Sequence, residues 1–203
     1  MNIKKITKFV VAPALLTVAL VGCSEKDRVV GSVDSIKITE SQLNQALQAQ
    51  YGTEILEQLM SNELVRLEAK ANKIEITDEQ LQAEFDLYAA YYGGEEKLLA
   101  SLETYNSSKE EILNDLEVYL LTVQLMEKEM TITEEDLQTH YEETKTSYLS
   151  DEDEQLPYDK VKEDVRQAYI AAQVDKNYET WIDEKFAAHD VRSYLFPKEG
   201  TEK

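Results

Sequence analysis

Apolar residues recur every three or four positions along most of this 203-residue chain, the period of an amphipathic helix. In residues 53–72 they are Leu56, Leu59, Met60, Leu64, Leu67 and Ala71, which share one helical face. In residues 158–187 they are Val161, Val165, Ala168, Tyr169, Ala172, Tyr178, Trp181, Ile182 and Phe186, a long helix that carries the only tryptophan. Residues 109–129 are denser. Ile112, Leu116, Tyr119, Leu120, Val123 and Met126 make one stripe, and Leu113, Val118, Leu121 and Leu125 widen it. A helix apolar over so much of its circumference is buried on several sides, so it is expected at the centre of a bundle. Two segments break the helical period. Residues 29–38 (VVGSVDSIKI) are rich in β-branched side chains around an Asp34-Ser35 turn, and residues 191–196 (VRSYLF) read as a closing strand. The pattern predicts a mainly α-helical fold with a small sheet formed by the N- and C-terminal strands.

Polar punctuation sets the helix ends. Thr39 with Gln42, Thr77 with Gln80 and Ser108 with Glu111 are capping-box pairs. Glycine marks two expected stops, at Tyr51-Gly52 and at Gly93-Gly94, and a short helix follows the second over residues 95–102. Pro157 fits the start of the last helix. One phrase, Ile-Thr-acid-x-polar-Leu, occurs at residues 38–43, 76–81 and 132–137. Each time the threonine can bond free first-turn amides, the acid suits the positive helix end, and Ile and Leu can staple across the cap. The intervals are unequal, so these are helix starts and neither a solenoid repeat nor a catalytic motif.

The N-terminus follows a different logic. Lys4, Lys5 and Lys8 precede an apolar run over residues 9–21, broken only by Pro13 and Thr17. A helix of about 13 residues spans roughly 20 Å, too short for a ~30 Å hydrocarbon core. The run reads as a secretory signal over residues 1–22. Leu20-Val21-Gly22-Cys23 ends it with a lipobox, which predicts cleavage between Gly22 and Cys23 and a diacylglyceryl group on the Cys23 sulfur. Cys23 is the only cysteine, so no disulfide is expected. Residues 23–28 read as a lipidated tether and residues 198–203 as a polar tail. The expected location is the outer, extracytoplasmic face of the cell membrane.

Six glycines and three prolines favour long helices over a loop-rich fold. The net charge of −20 becomes more negative still once a leader with three lysines is removed. Such a field repels phosphate backbones, so nucleic acid is not an expected partner. Residues 151–154 are four consecutive acids and predict an exposed loop. They lack the glycine and the ligand spacing of a calcium loop, and no metal or other cofactor is expected. His140 stands in an acidic helical run and His189 before the closing strand; surface and capping roles are expected for both. Tyr88, Tyr91, Tyr92 and Tyr105 surround Gly93-Gly94. Aromatics with a polar tip suit a peptide-binding surface, but core packing is the stronger expectation.

The order of these features resembles the PrsA/SurA family of extracytoplasmic foldases. It runs from lipobox and strand pair through the Ile-Thr-capped helix and Ile-Glu-Ile-Thr-Asp-Glu-Gln-Leu (74–81) to the apolar helix. Met-Thr-Ile-Thr-Glu-Glu-Asp-Leu (130–137) with His140-Tyr141 follows, then the last long helix. The resemblance implies a helical chaperone domain, here residues 29–197, similar to the SurA N-terminal domain and built from both chain ends. It also implies a parvulin-type prolyl isomerase domain inserted before the last helix. In this chain that interval is residues 146–157, too short for any such domain, and the paired histidines associated with parvulin catalysis have no counterpart. The expected function is therefore a membrane-anchored chaperone that binds unfolded, newly exported polypeptides without an isomerase site of its own and with no catalytic residues. Two alternatives stand beside it: a lipoprotein dedicated to one envelope partner, and an isomerase with an unusual site.

Overall fold

Capping residues define the elements of the computed structural model, which describes residues 27–150 and 153–195. In chain order these are β1 (Val29–Val33), β2 (Ile36–Thr39), α1 (Glu40–Asn72), α2 (Asp78–Tyr91), α3 (Glu95–Thr104), α4 (Lys109–Glu129), α5 (Glu134–Thr144), a 3-10 turn (Lys145–Ser147) and α6 (Tyr158–Ala188). The fold is mainly α-helical with one small antiparallel sheet, as the pattern predicts. Gly22, Cys23, the signal segment and the polar tail lie outside the described residues.

The chain divides into two units, Met1–Tyr51 and Gly52–Lys203, with the division inside α1. In the first, β1 and β2 pair antiparallel, with Val33 opposite Ile36 and an irregularity between Val29 and Gly31. Asp34 takes a φ of 51°, the left-handed conformation that tight hairpin turns demand and aspartate tolerates. Arg28 grips Glu40 through two bonds of 3.1 and 2.8 Å, and the Ser41 amide donates to Asp27 Oδ1 at 3.0 Å. Thr39 and Gln42 close a capping box at the start of α1. Leu43, Leu47 and Tyr51 are exposed along this part of α1.

The second unit is a helical bundle with three apolar clusters. Leu64, Val65 and Ala69 of α1 meet Val118, Leu121, Leu125 and Met126 of α4 and Ile170, Val174, Trp181 and Ile182 of α6. Phe85 and Ala89 of α2 meet Leu98 of α3 and Leu116 of α4. Leu137 and Tyr141 of α5 meet Val161 and Val165 of α6. Helix α4 thus serves two clusters and is buried on more than one side, as expected from its apolar width. Two of the polar groups at these contacts are bonded. The buried Thr122 hydroxyl donates to the Val118 carbonyl at 2.8 Å, and the Trp181 indole N–H to Glu129 at 3.2 Å.

The capping boxes of α2, α4 and α5 are all formed, by Thr77 with Gln80, Ser108 with Glu111 and Thr133 with Asp136. Gly93, at φ 84°, ends α2 through bonds from the Gly93 and Gly94 amides to Ala90 and Ala89. The staple is less regular than the repeated phrase. Ile132 packs on the Leu137 cluster, but Ile76 and Leu81 join different clusters, and Ile38 and Leu43 are exposed.

Two boundaries differ from expectation. Helix α1 continues past Gly52 instead of stopping there. Gly52 has no left-handed φ, and the spacing Leu47, Tyr51, Ile55, Leu59 continues across it. A glycine inside a helix costs only about 1 kcal/mol relative to alanine, which so long an element absorbs. The closing strand also fails to form: residues 191–195 are irregular, and Phe196 is not described. Their polar groups turn to near neighbours. Arg192 pairs with Asp190 at 2.7 Å and the Val191 amide bonds the His189 carbonyl, while the Val191 side chain packs on the α1–α4–α6 cluster. Both strands of the sheet come from the N-terminal segment.

Two stability outcomes are expected. Ile170 is fully buried, so Ile170→Ala should cost about 2–5 kcal/mol, read as a lower urea midpoint. Thr133→Ala should cost about 1 kcal/mol through loss of the α5 cap. The bonds from Thr133 hold the Asp136 carboxyl below the usual carboxylate range, and those from Ser107 and Ser108 do the same for Glu111. A depressed folded pKa stabilises the fold above the unfolded carboxylate value. That contribution disappears as pH falls through the folded value. Urea midpoints should therefore drop below about pH 4, and less steeply in Thr133→Ala than in the parent chain.

Candidate functional site

The deepest residues of α4 are flanked by residues that leave the core half-finished. Leu120 and Val123 lie beside the buried Leu121 and Thr122 but are only half-buried, and Tyr119 is exposed. Each flank opens into a groove.

The first groove, of about 860 Å³, lies between α4, the first turn of α2 and α6. Its apolar residues are Ile74, Leu120, Val123, Met130 and Ile132. Amides and charges surround them: Gln80, Gln124, Gln167, and the ion pair of Arg166 with Glu127. Lys128 is tied to Asn72 at 2.8 Å. The Gln80 side-chain carbonyl is used by the cap of α2, which leaves its NH₂ for other partners.

The second groove, of about 590 Å³, is formed by α1, α4 and α6. Val118, Thr122 and Val174 line its base, Tyr119 and Tyr178 supply aromatic surface, and Gln58, Asn62, Asp115 and Asp175 are polar. Burial first, then the charges of Glu84 and Asp175, push the Tyr119 hydroxyl pKa up. Burial does the same to Tyr178, against a weaker opposing bond from Ser61. Among the described residues, Gln58, Asn62 and Gln124 make no side-chain hydrogen bond within the chain. An amide carries a donor and an acceptor, as a peptide bond does, so it can bond an extended backbone of any sequence. Apolar surface edged by free amides can accommodate an extended polypeptide backbone.

Two smaller apolar surfaces accompany the grooves. Leu59, Leu64, Leu67 and Val191 line a shallow cleft of about 340 Å³, with Leu59 and Leu67 exposed. The tyrosine cluster is the other. Core packing was the expectation, but Tyr91 is 88% and Tyr105 79% exposed, beside the exposed Leu87. Only Tyr88 packs on the Phe85 cluster, with its ring 5.3 Å from that of Tyr92. The chain turns at Gly93 and Gly94 and at Asn106, so the flanking rings stand at helix ends with few neighbours.

The histidines do structural work. His189 Nε2 sits 2.8 Å from Glu68 Oε1 and fastens the end of α6 to α1. His140 is half-buried, not on a solvated face, with its ring edge-on to Tyr169 at 5.6 Å. They lie on different elements, α5 and the C-cap of α6. In the interval from 146 to 157 the described residues on either side of 151–152 are drawn together. Leu149 bridges Gln155, the Leu156 amide bonds the Tyr148 carbonyl, and the Tyr141 hydroxyl donates to the Leu156 carbonyl at 2.7 Å. No helix among the described residues is long and apolar enough to cross a membrane.

Sequence reading missed both grooves. Their signal was present as spacing: Gln58 with Asn62, Asp115 with Tyr119 and Thr122, and Val174 with Tyr178 each recur at one helical turn.

No family model matches the chain. Over 140 residues, 69% of its length, it is 28% identical to Foldase protein PrsA 1 of Listeria monocytogenes serotype 4b. Over 128 residues it is 27% identical to Foldase protein PrsA of Oceanobacillus iheyensis. The chain spans less than half the length of these curated relatives, 44% and 41% respectively. The resemblance read from the order of its capping phrases is borne out: over this part of its length the chain is similar to proteins named as PrsA foldases.

Proposed function

We propose that this chain is an extracytoplasmic chaperone of the foldase type, anchored by a lipid on Cys23, that binds unfolded exported polypeptides in the two grooves beside α4. The observation that carries this reading is the pairing of apolar groove surface with unbonded amide side chains. The similarity to PrsA foldases supports it independently. No covalent step is needed. A protein that binds unfolded chain lowers its free concentration and with it the rate of aggregation, and an acidic surface keeps the complex dispersed. The bonds that join the two arms of the connection between α5 and α6 support a chaperone that works without an inserted isomerase domain.

The purified chain, added in slight molar excess to a chemically denatured exported protein, should reduce light scattering on dilution. It should leave the rate of prolyl-peptide isomerisation at its uncatalysed value. Unchanged scattering, together with capture of a single folded protein from an envelope extract, would instead favour the dedicated-partner role. Isomerisation above background that is lost on a groove substitution would favour the unusual enzyme.

For the anchor, Cys23→Ala should abolish labelling by radioactive palmitate and move the protein out of the membrane fraction. Labelling that survives the substitution refutes the assignment.

A further inference from the structure

Three lysines of this chain are each held by a carboxylate and an aromatic ring at once. Lys109 lies 2.6 Å from Glu95 and 4.1 Å from the centre of the Phe85 ring. Lys162 lies 2.6 Å from Glu134 and 5.8 Å from the Tyr158 ring. Lys185 lies 2.9 Å from Glu129 and 5.1 Å from the Trp181 ring. In each trio the negative face of the ring and the carboxylate share one ammonium charge.

The second groove presents the same two partners and no cation of the chain itself. Asp115 comes from α4 and Asp175 from α6, with the rings of Tyr119 and Tyr178 lining the same space. No lysine or arginine lines it, and neither aspartate has an ion pair or a hydrogen bond among the described residues. The Tyr119 hydroxyl pKa is pushed up by burial first and then by the negative charges of Glu84 and Asp175. Val118 and Val174 add an apolar base, and Gln58 and Asn62 add free amides.

We propose that this groove selects unfolded segments in which a lysine or arginine stands next to apolar or aromatic residues. The cation sits between Asp115 and Asp175 against a tyrosine ring, the neighbouring apolar side chain rests on the valines, and the backbone bonds the amides. This inference rests on the client-binding reading above and names the class of segment bound. Two aspartates at one site and an adjacent ring give directional attraction that the diffuse charge of the whole surface does not.

The test uses the purified full chain and three fluorescein-labelled extended peptides. They share one apolar sequence and carry Lys, Gln or Glu at the same two central positions. The Lys peptide should bind roughly tenfold tighter than the Gln peptide, and the Glu peptide more weakly than either. Asp115→Asn with Asp175→Asn should erase the Lys preference, so that the Lys and Gln peptides bind the variant with the same affinity. Both positions are exposed on helix surfaces, so these near-isosteric changes leave the fold intact, checked by circular dichroism. Glu135→Gln with Glu143→Gln on α5 removes the same charge and should leave the preference in place. A preference that survives the aspartate pair, or is lost equally in the α5 pair, assigns it to overall charge and overturns the inference. Equal binding of Lys and Gln peptides also overturns it while leaving client binding intact. No peptide binding, together with no suppression of aggregation, removes both.

Discussion

The burial of α4 and α6 on more than one side is the constraint from which the rest of the bundle follows. Val165 and Ile170 of α6 are wholly excluded from solvent, and they belong to different clusters. Helix α6 therefore joins α5 to the α1–α4 layer, as α4 joins that layer to α2 and α3. Two helices with apolar circumferences this wide cannot both be satisfied by a single flat interface. They need neighbours at several angles, and wherever neighbouring helices diverge a flank stays partly uncovered. The grooves are those flanks. Tyr119, Leu120 and Val123 are immediate sequence neighbours of buried residues, so the groove surface and the core are cut from one stripe.

Electrostatics works on the same elements from outside. The protein is strongly acidic, yet many carboxylates are committed: to caps at Glu111 and Asp136, to lysines at Glu95, Glu129 and Glu134, and to arginines at Glu40 and Glu127. These exposed pairs each add little stability. Their larger effect is to leave the unpaired acids unevenly distributed. Asp115 and Asp175 stand without an ion-pair partner among the described residues, beside the aromatic surface of a groove.

Local chemistry was the legible part of this sequence. Each capping box and the Gly93 stop could be read because threonine, serine and glycine act on bonds within a few residues of themselves. The breadth of the α4 stripe was legible for the same kind of reason, since it depends only on helical period. The errors came where a distant neighbour decides. Gly52 carries a stop signal, but the apolar period continues through it. Residues 191–195 have strand composition, but Val191 finds an apolar seat on the helical cluster and Arg192 pairs with Asp190. The tyrosines near Gly93 have the composition of a core, and only the placement of the helix ends leaves Tyr91 and Tyr105 in solvent. The grooves were least legible of all, because no single helix contains one. Their residues become a site only when three helices are set side by side.

Tyr141 is the side chain that joins the bundle core to the connection between α5 and α6. Its ring is buried with Leu137, Val161 and Val165, close to the rings of Tyr148 and Tyr158. Its hydroxyl donates to Leu156 and accepts from Gln155 at 2.9 Å. One side chain thus belongs to the core and also ties down the returning arm of the loop. This contact fastens the residues just before α6 to α5, next to the bridge of Leu149 with Gln155. A connection closed at its neck tolerates different lengths beyond the neck, because ends already held together add only slowly rising entropy as a loop lengthens. The bonds among Tyr148, Leu149, Gln155, Leu156 and Tyr141 thus close the connection at its neck, beside the core residue that anchors it.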